Sequence, residues 1–251
     1  MVGVSISEAA VMYSVRSTAK TQTSGNISNG DFHSVDTGVV QAASNSANPP
    51  SATSGGTFYS FNASADSFTE VGKIHGSVLV SASSIGPAGG ANADVQGFWT
   101  DTVTITSDTL ANGTPVSFLA TIVLHSTITG SLPGTHAYAY LYGPFGLNVT
   151  NDVSSPHYEL TASTVVFTTV GSTLNLSSSL TLHADAGGIA PFSLSASVLA
   201  ENTAYFKFDA ITPGASYSTA SGAVYVPEAS SSVMMLSALV FASLGMRIRR
   251  R

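Results

Sequence analysis

The chain has 251 residues, with 14 acidic and 8 basic side chains for a formal net charge of −6, and it has no cysteine. That acidity argues against nucleic-acid binding, which needs a basic footprint, and the absence of thiols excludes disulfides, cysteine-ligated metals and thiolate catalysis. Charged residues make up only 9% of the chain against roughly 25% in an ordinary soluble domain, so polarity comes from Ser and Thr, as in an exported ectodomain.

Met1 to Lys20 has no basic n-region, and Ser5, Ser7 and Glu8 interrupt any apolar run. No signal peptide is read there: either the true start lies further upstream, as the tail favours, or the protein does not enter the secretory route. Glu8 to Arg16 reads as a short helix or as linker. Thr21 to Gly56 is rich in Ser, Asn, Gly and Pro, and Asn48-Pro49-Pro50-Ser51 can continue neither a helix nor a central strand. Residues 1–56 are therefore expected to be of low order, with at most one strand near Phe32 to Val40.

A sandwich domain is expected over 57–212. Phe58 and Phe61 open an apolar pattern, Lys73 to Ser81 reads as a strand, and Ile85 to Ala93 as a turn or mobile loop. Phe98 to Thr106 sets Thr102, Thr104 and Thr106 on one face of a strand and Val103 and Ile105 on the other. After the turn Asn112-Gly113-Thr114-Pro115, Val116 to His125 aligns Val116, Phe118, Ala120, Ile122 and Leu124. These two strands are expected to pair antiparallel. The pattern recurs at Thr164 to Thr169 and Thr173 to His183, where Leu174, Leu176, Leu180 and Leu182 share a parity and His183 closes its strand as His125 does. The likeness suggests a duplicated hairpin. Thr203 to Ala210 should be the last strand of the body. Short strands between Gly, Pro and Asn turns predict an all-β fold, an antiparallel β-sandwich of jelly-roll-like type. A β-helix fits less well because no regular coil repeat is present.

Recognisable catalytic and metal-binding motifs are few. His33, His75, His125, His136, His157 and His183 show no His-Glu-x-x-His pattern and no pair at zinc-binding spacing. His136 and His157 flank the segment Tyr138 to Phe145 and can meet in space, although loop histidines at a strand connection are the simpler reading. No Gly-x-Ser-x-Gly elbow appears, and Asp94, Asp101 and Asp108 lack the dense ligand loop of a calcium site. No catalytic residue, metal ligand or cofactor is expected. Tyr138, Tyr140, Tyr142 and Phe145, read as a loop, could offer aromatic platforms to sugars, with Trp99 elsewhere. Alternating aromatics are more often a strand face in the core. Thr102, Thr104 and Thr106, echoed by Thr127 and Thr129, could form a hydroxyl-methyl array suited to ice, but threonine is also an ordinary residue of a strand's solvent face.

Residues 213–226 read as a linker, and 227–251 as an address. From Val233 to Met246 there is no charge, and Ser237 and Ser243 fall on different sides of a helix. A helix apolar all round belongs in a core or a membrane. Ala229 to Ile248 supplies about 20 residues, enough to span a bilayer, and Arg247, Arg249, Arg250 and Arg251 behind it set a cytoplasmic end. A C-terminal transmembrane helix is expected. Pro227-Glu228-Ala229, a small-residue linker, the apolar helix and the terminal arginines together resemble the PEP-CTERM sorting signal of Gram-negative bacteria, with Ala229 where a second proline is usual. The resemblance covers about a tenth of the chain. It implies export, temporary anchoring by the helix, recognition at Pro227 and Glu228 by the membrane enzyme exosortase, and delivery to the cell envelope or an extracellular matrix, where exopolysaccharide is a candidate partner. The function expected is that of a non-catalytic structural or interaction protein. A carbohydrate-binding module or adhesin is the alternative.

Overall fold

The computed structural model describes residues 12–23, 26–28, 32–36, 41–47, 52–54, 57–84, 89–130, 133–189 and 191–225. The sorting motif Pro227, Glu228 and Ala229, the apolar segment and the basic stop lie outside them. Among the described residues no helix is long and apolar enough to cross a membrane.

Hydroxyl and apolar residues in strict alternation favour pleated strands with one wet and one dry face, and the described chain is all-β with a single 3-10 turn at Pro144–Gly146. The strands are β1 (Met12–Thr23), β2 (Asn26–Ser28), β3 (Phe32–Asp36), β4 (Gln41–Ala47), β5 (Ala52–Ser54), β6 (Thr57–Glu70), β7 (Lys73–Ser84) and β8 (Gly89–Thr106). There follow β9 (Pro115–His125), β10 (Thr127–Gly130), β11 (Thr135–Tyr142), β12 (Asn148–Asp152), β13 (Glu159–Thr169), β14 (Thr173–Gly188), β15 (Phe192–Ala210) and β16 (Ser216–Thr219). They form two antiparallel sheets packed as a sandwich. The first runs β12-β11-β14-β8-β1-β2, with β16 on β8 and β3 on β1. The second runs β13-β9-β15-β7-β6-β4, with β10 on β15 and β5 on β6.

The faces follow the sequence parity. Val116, Phe118, Ala120, Ile122 and Leu124 of β9 are all buried, as are Val103 and Ile105 of β8 and Leu176, Leu180 and Leu182 of β14. In the core Phe118 of β9 stacks on Phe208 of the neighbouring β15 at 4.6 Å, and Trp99 of β8 stacks on Tyr225 at 5.8 Å. The sheets come close at two inward glycines. A Cβ on Gly97 would sit 2.3 Å from Ile74 Cγ2, and one on Gly76 would sit 2.9 Å from Leu182 Cδ1.

Partner choice departs from the sequence reading. The expected hairpin between Phe98 to Thr106 and Val116 to His125 does not form, because β8 and β9 belong to opposite sheets. Residues 107–114 cross from one sheet to the other. So does the short connection from β13 to β14, and the second expected hairpin is likewise a crossing. The two crossings stack: β8 pairs with β14 from Thr104 opposite Thr173 to Gly89 opposite Gly188, and β9 pairs with β13 from Pro115 opposite Thr169 to His125 opposite Glu159. Gly113 N donates to Val170 O at 2.9 Å and Val170 N to Thr114 O at 3.0 Å, so the connections satisfy each other's backbone groups. Two long ladders replace the local pairing that a hairpin would offer.

Further corrections follow from the same non-local pairing. Residues 12–54, expected to hold at most one strand, contribute β1 to β5, and β1 pairs with β8 along its whole length. Residues 89–93, expected in a turn, already belong to β8. His183 lies inside β14 rather than at its end. The expected linker is part of the sandwich through Tyr225: β16 pairs with β8, and Tyr225 is 2% exposed.

Candidate functional site

The outward face of the first sheet gathers the polar chemistry of the chain. On β11 the inward positions Ala137, Ala139 and Leu141 are buried, so His136, Tyr138, Tyr140 and Tyr142 must all point out. The aromatic segment is thus a strand up to Tyr142, where a loop was expected, and the tyrosines occupy its solvent side, where packing in the core was the simpler expectation. Register sets their neighbours. Tyr138 stands between Asp152 of β12 and His183 of β14, Tyr140 between Thr150 and Thr181, and Tyr142 between Asn148 and Ser179.

Phe145 leaves this row. It sits in the 3-10 turn with φ 61° and ψ 24°, and its ring faces Phe208 at 6.1 Å. Trp99 is inward and 1% exposed, so it offers no platform. The two threonine rows are also separated, with Thr102, Thr104 and Thr106 on β8 of the first sheet and Thr127 and Thr129 on β10 of the second. Their hydroxyls bond to neighbours: Thr106 to Ser216 at 2.9 Å and Thr129 to Ser197 at 2.8 Å. A single flat array for ice is not built from them.

At one end of the tyrosine row the register assembles an acid-imidazole cluster. His183 lies opposite Asp94 of β8 and Tyr138 of β11, and Asp185 lies opposite His136. His183 Nδ1 is 2.6 Å from Asp94 Oδ1, and its Nε2 is 3.2 Å from Asp185 Oδ2. His136 Nδ1 is 3.9 Å from the same Asp185 oxygen. Tyr138 stacks on His183 with centroids 5.1 Å apart, and His136 faces His183 at 5.7 Å. The Asp94 hydrogen bond holds His183 above the usual histidine range, with Asp185 adding to it and partial burial opposing both. The imidazole beside His136 is that of His183, with Tyr138 also in contact at 5.4 Å. His157 lies in the turn after β12, where its N–H donates to Asn151 Oδ1 at 2.9 Å. On the same turn Asp152 caps Ser154, and the hydroxyl and N–H of Ser154 hold that carboxyl below its usual range.

A ligand-competent group was thus missed in sequence. His136 and His183 are remote in the chain, and only the pairing of β11 with β14 joins them. The one local signal is His183-Ala184-Asp185, which in a strand puts both polar side chains on one face. His125 makes a smaller contact on the second sheet, 3.0 Å from Glu159 Oε2 and stacked on Tyr158 at 5.4 Å.

The chain matches no family model, and no curated protein matches it.

Proposed function

We propose that this chain is an exported, non-catalytic envelope protein whose β-sandwich holds carbohydrate on its tyrosine face. One observation carries the reading: Tyr138, Tyr140 and Tyr142 are successive outward residues of β11 instead of core residues. Aromatic rings set at a spacing of about 7 Å along a strand offer apolar faces to sugar rings. Thr150, Thr181, Asn148 and Ser179 on either side supply the hydroxyl and amide groups that read sugar hydroxyls. A face of this kind suits an extended polysaccharide chain, which needs a row of contacts more than a deep pocket.

On this reading the central strands are a jelly roll, β7-β15-β9-β13 against β8-β14-β11-β12, with β1 to β6 widening both sheets. The tail from Pro227 supplies delivery, as a spanning helix stopped by Arg247, Arg249, Arg250 and Arg251 and processed by exosortase at Pro227 and Glu228. Exopolysaccharide of the envelope is the natural ligand class.

Two experiments test the two halves. The full-length chain, purified in detergent, is screened on a glycan array, and Tyr140→Ala is expected to weaken the best signal at least about tenfold, the scale of one lost stacking contact. An array with no retained glycan, or one unaltered by Tyr140→Ala and Tyr142→Ala, would leave only a passive matrix protein. For delivery, intact mass and membrane partition are compared in a host with exosortase between the parent and a Pro227→Ala, Glu228→Ala variant. The parent should lose its tail and the variant keep it; retention by both would make the helix a permanent anchor.

A further inference from the structure

We infer that the outward face of the first sheet carries a zinc site, with His136 Nδ1, His183 Nε2 and Asp185 Oδ2 as the protein ligands and water in the remaining position. This inference does not depend on the glycan reading. These three atoms lie within 4.8 Å of one another. A tetrahedral zinc with bonds of about 2.0–2.1 Å places its ligands roughly 3.3 Å apart. The His183 and Asp185 atoms are already 3.2 Å apart. His136 is 3.9 Å from Asp185 and 59% exposed, so rotation of this exposed side chain closes the remaining gap.

What separates this cluster from an ordinary surface ion pair is Asp94. Its Oδ1 lies 2.6 Å from His183 Nδ1, on the side of the ring away from Asp185. A carboxylate behind the imidazole fixes the proton on Nδ1, aims the Nε2 lone pair at the ion and raises its basicity, the arrangement that metal-bound histidines commonly show. Tyr138, stacked on His183 at 5.1 Å, further limits rotation of the ring. Two imidazoles and one carboxylate favour zinc over calcium or magnesium, which prefer all-oxygen shells. On binding, the ion takes the place of the Nε2 proton, which passes to solvent. The contact between His125 and Glu159 offers one imidazole and one carboxylate, and so serves as the control.

The test uses the full-length chain in detergent, stripped with a chelator and titrated calorimetrically with zinc chloride at pH 7.5, and separately with magnesium chloride. One saturable zinc per chain is expected, and no comparable magnesium uptake. Asp185→Asn and His136→Gln should weaken zinc binding at least about tenfold, and Asp94→Asn about 10–100-fold, while His125→Gln leaves it unchanged. The ring NMR signals of His136 and His183 should shift together with zinc. Asp185 and His136 are surface residues, so these variants carry the test if His183→Gln does not fold. Absence of a saturable site in the folded parent, or parental affinity in both Asp185→Asn and His136→Gln, would overturn the assignment.

Discussion

The hydroxyl of Tyr225 donates to Asp101 Oδ2 at 2.6 Å across 124 positions of sequence. Asp101 is itself buried on β8 and also accepts from the N–H of Thr102 at 2.7 Å and from the N–H and hydroxyl of Ser221. One inward carboxylate thus ties the end of the described chain to the middle of the first sheet. Its cost of burial is offset by this full set of donors. Tyr225→Phe keeps the ring against Trp99 and removes one donor. It should lower stability by about 1–3 kcal/mol, read as a shift of the urea midpoint with the slope unchanged.

Gly97 is a packing requirement. Any Cβ there meets Ile74 Cγ2 at 2.3 Å and Thr69 Oγ1 at 2.7 Å, and Ile74 is fully buried. Gly97→Ala should therefore destabilise by about 1–3 kcal/mol through overpacking. Ile74→Ala in the same chain removes the opposing Cγ2 itself and should offset part of that loss, so the two changes will be non-additive in a double-mutant cycle. Additivity in denaturation measurements would show that the sheets part freely at this point.

Phe145 is the sole non-glycine residue with positive φ among those described. For an L-residue the left-handed region costs about 1–2 kcal/mol. Phe145→Gly and Phe145→Ala both lose the contact with Phe208, yet the glycine variant should be the more stable by about 1 kcal/mol, because glycine alone enters this region freely. Thermal denaturation of the pair measures the difference. Neither change should alter glycan binding, since the ring lies off the tyrosine row.

Tyr217 sets an alkaline limit. Burial pushes its phenol above the usual value near 10, and Asp209 adds to the effect, while the hydrogen bond from Tyr225 N opposes it. With the folded pKa raised above the unfolded one, its contribution to stability is complete below about pH 10 and is lost as pH rises through the folded value. Denaturant midpoints measured from pH 8 to 11 should fall beyond pH 10, and the fall should be shallower in Tyr217→Phe.

The fold class was readable because alternation is a local property. Thr102, Thr104 and Thr106 against Val103 and Ile105 fixes which side of β8 is dry whatever strand lies beside it. The leucines of β14 and the apolar run of β9 each share a parity for the same reason, and all but the partly buried Leu174 lie in the core. Residues 12–54 were misread because their Ser, Asn and Ala content carries weak strand propensity. Those strands are held by pairing instead: β1 with β8, β2 and β3 with β1, and β4 and β5 with β6. Tyr138 to Tyr142 gave a correct alternation but no sign of which side faced water, since tyrosine fits either. Ala137 and Ala139, small residues matched to a tight core, were the available clue.

The sequence by itself determined that this is an acidic, thiol-free, all-β protein with dry and wet strand faces, and it supplied the composition of the tail that suggests an address. Those properties reside in single residues and in a period of two, which any strand context preserves. Only the tertiary structure decided that β8 and β9 lie in opposite sheets, that Tyr225 returns to Asp101, and that Asp94, His136, His183 and Asp185 share one patch. Each of these depends on which distant strand completes a ladder. That choice is made by the summed burial and hydrogen bonding of whole sheets, and no local pattern encodes it.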